Sequence, residues 1–567
     1  MSPAPVRIEI LWRRLITAVD EAATTLVRTS FSSVIRDFHD YACALFDRRG
    51  RMLAQSTHST PGLLGILPYT IPNFLKSVRA EDLEPGDVLV TNDPWLASGH
   101  MIDVTIATPV FREGCVAGYV LCVVHHLNVG GRLASLESRD LYEEGLRIPV
   151  THLHRRGEEQ RVVFDFIRAN VRQPDKVIGD IRAQVAANHA AQAKAVRIMD
   201  EARLEGLDAL CDEIIARSER SMRNAISQVP AGEYGHEMVL HDVAGLHEEV
   251  RLCVAAKFSD GHVRLDFTGT SGQIPRAVNV TLNFTRSYSA YPLKCILDPE
   301  VPNNEGSLRP VEIVVPEGSI LNATFPSATW GRTAIAHLIP ELIMQALAKA
   351  LPERLLAASG STPLWYLNFT GRHLASGPFF SVVTFHGGLG ARFRRDGISC
   401  ISYPANVASI PIEVIESEAP ILFERKALAT ESVGHGRTRG GFGQEIAVRV
   451  PEDASDIAMP ILASVRGGRF GEPIRGVFGG RDAPDPVLRL NGKELPLTAQ
   501  MELIAGDRLS LTVPGGAGYG DPRERPQESI AADIAEGLLT EARALEVYGY
   551  ASPEALAVWD NAKEVAE

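Results

Sequence analysis

The chain has 567 residues, 45% hydrophobic and 22% charged, with a formal net charge of −13. That is a globular composition with ample material for a core, and it excludes disordered, fibrous and small disulfide-stapled classes. The acidic balance argues against nucleic acid or an anionic membrane as the main partner. The seven cysteines are odd in number and include no CxxC pair, so they read as reduced, mostly buried thiols. No apolar run reaches the ~18 residues of a membrane span, and Arg13 and Arg14 interrupt the best N-terminal stretch. A soluble, cytoplasmic protein is therefore expected.

Apolar residues Ile8, Leu11, Leu15, Val19, Ala22 and Leu26 recur at helical spacing, so a helix opens the chain. Tyr41–Phe46 reads as a strand, followed by the turn Asp47-Arg48-Arg49-Gly50. Asp87–Thr91 is a strand stopped by Asn92-Asp93-Pro94. Asp103–Phe111 and Val116–His125 read as paired strands around Arg112-Glu113-Gly114, the second apolar enough to be central and buried. Residues 179–226 are helical, as two helices or one long bent one. Residues 233–320 are strand-like, with turns at Ser259-Asp260-Gly261 and Pro316-Glu317-Gly318. Thr333–Leu351 reads as a helix with Pro340 near its start, 364–515 as strands and Gly/Pro turns, and 527–547 as a final amphipathic helix. The fold class is α+β, with mixed or antiparallel sheets and a central long-helix segment. Five sub-domains are expected: 1–178, α+β with the candidate site; 179–232, helical; 233–360, strand-rich with a helix; 361–522, β-rich; and 523–567, a helical tail.

The main chemical candidates are His100, Asp103 and His125. Two imidazoles and a carboxylate suit zinc, manganese or iron(II) and leave positions open for water or substrate. In a hairpin, the start of the first strand lies beside the end of the second, so the three side chains can converge. His126 would point to the opposite face from His125. Hydrogen-bonded structural roles fit the same residues equally well. Asn92-Asp93-Pro94 is either an orienting element or a plain Asx turn. Asp40 and His58 are isolated polar residues, and Gly130-Gly131 allows a sharp turn or a close backbone approach. The glycine-rich stretches 434–443 and 515–520 match no phosphate-binding motif and read as turns. No GxSxG elbow is present.

Several short segments, in order over nearly the whole chain, resemble the hydantoinase B/oxoprolinase family. They include 40–47, Asn92-Asp93-Pro94, Gly99-His100-Met101-Ile102-Asp103, His125-His126 with Gly130-Gly131, and Glu143-Glu144-Gly145-Leu146-Arg147. Asp266-Phe267-Thr268-Gly269, Asn304-Glu305-Gly306, Arg439-Gly440-Gly441 and 514–522 complete the series. The resemblance implies a B-type subunit partnered by an actin-like-fold ATPase of the A type, as A2B2 or larger. The partner would bind ATP and Mg and phosphorylate a carbonyl oxygen. It implies metal ligation at the positions of His100, Asp103 and His125. The expected reaction is the opening of a cyclic amide such as a hydantoin, 5-oxoproline or a lactam. Carboxylation of a ketone and a non-catalytic partner role are the alternatives. Asp40, Glu144 and His126 are the candidate catalytic residues. Asn128 stands where the family pattern has Asp, and a carboxylate there could orient a ligand imidazole or act as a base.

Overall fold

The computed structural model describes residues 5–551 except 64, 133, 134, 376, 498 and 499. The end of the expected tail, 552–567, lies outside the described residues. The α+β class holds: helices pack on four sheets, and among the described strands only one pairing, between His262–Asp266 and Val311–Val314, is parallel.

The first sheet has seven strands: β1 (Tyr41–Asp47), β2 (Met52–Gln55), β3 (Val88–Thr91), β4 (Asp103–Arg112), β5 (Cys115–His125), β6 (Thr151–Arg155) and β7 (Glu158–Glu159). Their order is β2-β1-β5-β4-β3-β6-β7, all antiparallel. The β4–β5 turn places Glu113 at φ 51 and Gly114 at φ 80, the two left-handed positions of a tight hairpin. Alternation then sorts the side chains. Cys43, Leu45, Val120, Cys122 and Val124 face the helices Pro5–Thr29 and Pro174–Ala202. Ala42, Ala44, Phe46, Leu121 and Val123 face the other way, into a core shared with the second sheet and helix Leu282–Leu297. Both faces are covered, which explains why an antiparallel strand such as β5 is apolar throughout.

The second sheet contains Gly232–Leu240, Val250–Ser259, His262–Asp266 and Val311–Val314. The third contains Gly377–Phe385, Trp365–His373, Ile457–Arg466 and Gln500–Leu503. A five-stranded fourth sheet, starting at Leu422–Ala429 and Gly443–Arg449, packs with the third in one core.

The helical expectations hold in the centre and change elsewhere. The central segment is two helices, Pro174–Ala202 and Asp208–Ile226, separated where Arg203 turns left-handed at φ 53. The first of these crosses the expected 178/179 boundary and packs on β4 and β5. The strand-like reading of 233–320 misses helix Leu282–Leu297, whose internal Pro292 hides its pattern. The helix expected over Thr333–Leu351 is broken into Thr333–Ala336 and Ile339–Ala346, because Pro340 has no N–H to continue a helix from its N-terminal side. The final helix is likewise two, Gln527–Ala535 and Glu541–Tyr548, interrupted at Gly537 with φ 70.

The glycine-rich stretches are more than turns. Segments 387–390, 434–443 and 514–520 lie backbone against backbone. A Cβ on Gly440 would sit 1.7 Å from the Gly516 carbonyl oxygen, and one on Gly388 would sit 1.8 Å from that of Gly441. None of these four glycines has a positive φ, so space rather than conformation demands them. The seven cysteines are all free: Cys43, Cys122 and Cys211 are buried, while Cys115 and Cys295 are exposed.

Candidate metal centre and its cavity

Register brings the candidate ligands together. Asp103 pairs directly with His125 across β4 and β5, and the His125 N–H donates to the Asp40 carbonyl at 3.1 Å beside β1. Asp40, His125 and Asp103 therefore form a row across three adjacent strands at one end of the sheet. His100 reaches the row from the loop before β4. There Gly99 adopts φ 87 and passes so close to Arg332, Thr281 and Phe284 that a Cβ would meet each at about 3 Å. Asn92 holds this loop, donating to the Met101 and Leu146 carbonyls at 2.8 and 2.9 Å and accepting from the Ile148 N–H. Asp93 makes the Asx turn to Trp95 and pairs with Arg147.

One oxygen of Asp103, Oδ1, lies 2.6 Å from His100 Nε2 and 2.9 Å from His125 Nδ1. His100, Asp103 and His125 offer ligand atoms all within 4.8 Å of one another. The His100 Nδ1–H donates to the Trp330 carbonyl at 3.2 Å, which fixes the tautomer. Burial pushes the His100 pKa down to about 3, so the ring is neutral and its Nε2 carries a lone pair. That lone pair faces a carboxylate oxygen, an arrangement that a bound cation would relieve. The donor set and this orphaned nitrogen fit a divalent ion. The other Asp103 oxygen accepts from Arg332 at 3.1 Å.

The triad lines a narrow cavity. Its walls come from widely separated stretches: Phe284 and Tyr288; Trp330, Arg332 and His337; Tyr366, Asn368, Phe380 and Val382 on the third sheet; and Arg466 at the end of strand Ile457–Arg466. Within this wall the Leu364 N–H donates to Nδ1 of His337 at 3.2 Å. Burial holds His337 well below its usual range, so it is neutral and its one proton sits on Nε2. That Nε2–H donates to the Tyr288 oxygen at 3.0 Å. The Tyr288 hydroxyl proton is thereby left free to point elsewhere, into the cavity the residue lines.

The three candidate catalytic residues fare differently. Asp40 is not a surface residue. It lines the cavity, accepts from the Thr60 hydroxyl at 2.9 Å, lies 3.7 Å from His125 Nδ1, and has its pKa raised, chiefly by burial. His126 lies outside the cavity, because alternation turns it to the helix-covered face, where it donates to Gln184 at 2.9 Å. Glu144 also lies outside. It accepts from the Thr329 and Trp330 N–H groups, both at 2.8 Å, and burial raises its pKa to about 8. It thus positions Trp330, whose carbonyl orients His100.

Asn128 is fully buried away from the triad. Its Nδ2 donates to the Arg172 carbonyl at 2.6 Å and its Oδ1 accepts from the Arg172 and Gly130 N–H groups. The close approach of Gly130 and Gly131 is likewise to protein backbone, at Asn170 and Glu144. His58 is exposed. Among the described residues no helix is long and apolar enough to cross a membrane.

The chain is 30% identical to a protein of Pseudomonas sp. strain NS671 named, provisionally, as the B-type component of a D-/L-hydantoinase, over 96% of this chain and 95% of that one. It is 28% identical to a 5-oxoprolinase of Pestalotiopsis fici, over 91% of this chain but only 41% of that longer one. Its fold matches the ATP-dependent caprolactamase of Pseudomonas jessenii with TM-score 0.86, 25% identity and 97% coverage of both chains. It matches a nucleotide-free acetone carboxylase with TM-score 0.83 and 19% identity, over 97% of this chain and 80% of that one, a likeness of fold alone. The profile of the Hydantoinase B/oxoprolinase family spans residues 4–522, and the chain belongs to that family.

Proposed function

We propose that this chain is the B-type subunit of an ATP-dependent enzyme that opens a cyclic amide, acting with a separate ATPase that phosphorylates the substrate's carbonyl oxygen. The observation that carries the proposal is the convergence of His100, Asp103 and His125 at the base of a cavity walled by apolar and aromatic side chains. Two relatives matched nearly end to end, named as components of a hydantoinase and of a caprolactamase, support the amide class and the subunit role.

Cyclic amides are poor electrophiles, and phosphorylating the carbonyl oxygen makes the ring carbon reactive: water adds to it, the C–N bond breaks as the ring nitrogen takes a proton, and hydrolysis of the acyl phosphate left behind releases phosphate. A divalent ion held by His100, Asp103 and His125 would supply a water of lowered pKa and positive charge beside the oxyanion. The chain's own groups do the remaining work. Asp40, kept basic enough by burial to take a proton, receives one from the attacking water at its Oδ2. Tyr288, with His337 on its acceptor side, donates its hydroxyl toward the ring nitrogen as the C–N bond breaks. Phe284, Phe380 and Val382 seat the ring and exclude water. Arg332 anchors Asp103.

The test is to purify the chain with its ATPase partner, measure bound metal, and assay hydantoins, 5-oxoproline and caprolactam with ATP, with and without bicarbonate. About one divalent ion per chain and bicarbonate-independent ring opening are expected. In the double variant His100→Ala/His125→Ala, the ion should be lost and the rate should fall by about 10³-fold or more. Turnover of a ketone only with bicarbonate would assign a carboxylase instead. A metal-free protein whose double variant keeps full activity would remove the proposal.

A further inference from the structure

The cavity contains a second charged feature that the metal ligands do not explain. Arg466 is only 9% exposed, yet no carboxylate lies within ion-pair distance of it among the described residues, and its Nε has no hydrogen-bond partner. Its guanidinium carbon lies 3.9 Å from the Tyr366 ring centroid and 4.5 Å from that of Trp330. These cation–π contacts hold the guanidinium, while its Nε is left without a partner. Arg332 is 3% exposed. One of its nitrogens pairs with Asp103, while its Nε and Nη1 have no partner. Both guanidiniums line the same cavity. Burying a cation without a counter-charge is costly, so buried guanidiniums that keep unpartnered N–H groups and line a cavity mark where an anion belongs.

Charge balance points to the kind of anion. The cavity lining carries two guanidiniums, Arg332 and Arg466, against two carboxylates, Asp40 and Asp103. The four cancel. A divalent ion at the triad then leaves two positive charges uncompensated in a buried space. A monoanion would halve this excess, whereas a phosphate monoester, close to a dianion at neutral pH, would cancel it. The planar N–H edge of arginine also matches a phosphoryl group bidentately.

We propose that Arg466, with the free N–H groups of Arg332, forms an oxyanion subsite that receives the phosphoryl group of a substrate already phosphorylated on its carbonyl oxygen. Its phosphoryl identity rests on the function proposed above; its existence as an anion site does not. The subsite places the phosphoryl group on the third-sheet side of the cavity and the attacked carbon toward the triad. It selects the activated substrate over the unmodified amide, so that water attack waits for phosphorylation.

The test is a titration of inorganic phosphate, and separately of acetate, into the full metal-loaded chain, followed by calorimetry and by ³¹P line broadening. Wild type is compared with Arg466→Gln and Arg466→Lys, with metal content measured in each. Saturable phosphate binding is expected. It should weaken at least about tenfold in Arg466→Gln and less in Arg466→Lys, with metal content unchanged. Absence of saturable phosphate binding to wild type would overturn the subsite, and so would equal binding to Arg466→Gln. Should that variant fail to fold, the wild-type and Arg466→Lys titrations still decide. If acetate binds as tightly as phosphate and depends on Arg466 equally, the site takes a substrate carboxylate and the phosphoryl assignment falls. A chain that takes up no metal but binds phosphate through Arg466 would defeat the metal-site function while leaving the anion site standing.

Discussion

Two regions of the molecule are built on opposite principles. The cavity around His100, Asp103 and His125 keeps polar atoms unsatisfied: His100 Nε2, Arg332 Nε and Nη1, and Arg466 Nε all lack partners. In the glycine layer formed by 387–390, 434–443 and 514–520, backbone pairs with backbone. The Gly516 N–H donates to the Gly441 carbonyl at 2.8 Å, and the Gly434 N–H to that of Gly516 at 2.8 Å. Both regions stand out in the sequence as motif-like runs. The first gathers unspent donors and acceptors around an open space, while the second spends its polar groups on itself. That separates a site for chemistry from a site for packing.

The comparison can be broken most forcefully at Gly440. Gly440→Ala forces a methyl onto the Gly516 carbonyl with no side chain able to yield, so a loss of about 3 kcal/mol or more is expected in urea unfolding. Exposed Gly272, where a Cβ would meet nothing nearer than 3.8 Å, should tolerate alanine within about 0.5 kcal/mol. Equal stability of the two variants would show that the layer relaxes easily.

Next in size is Tyr288→Phe. Its expected cost is catalytic, about a 10²-fold fall in kcat with KM little changed, because the lost donor acts only on developing charge. A rise in KM with kcat preserved would make the hydroxyl a ground-state contact instead.

The smallest effect is expected from Asn128→Asp. The carboxylate can still accept from the Arg172 and Gly130 N–H groups but cannot donate to the Arg172 carbonyl. Stability should fall by about 1–2 kcal/mol with metal content and activity unchanged. A gain in activity or a change in metal stoichiometry would move residue 128 from packing to chemistry.

The triad is legible in the sequence because it is local. A tight turn at Glu113-Gly114 sets the β4–β5 register, and strand alternation does the rest, including turning His126 away. The same rule places His126 on the helix-covered face, beside Gln184. Asn128 invites a chemical reading only because its neighbours are histidines; its partners are backbone groups of Arg172 and Gly130. Tyr288, His337, Arg332 and Arg466 escape sequence reading for a different reason. Each is a single residue of ordinary type in its own segment, and its meaning comes from partners tens to hundreds of positions away. Helix Leu282–Leu297, which carries Tyr288, is hidden as well by its internal proline.

The two sides of the cavity belong to different sheets, and this bears on how such a protein can change. The end that holds His100, Asp103 and His125 is set by backbone register in the first sheet, which tolerates little adjustment. The opposite wall rests on one face of the third sheet, where Asn368, Phe380 and Val382 project from two neighbouring strands. Substitutions there can reshape the space for a ring without disturbing the ligands. A lineage can thus change what the cavity accommodates by altering a few wall positions while His100, Asp103 and His125 are inherited intact.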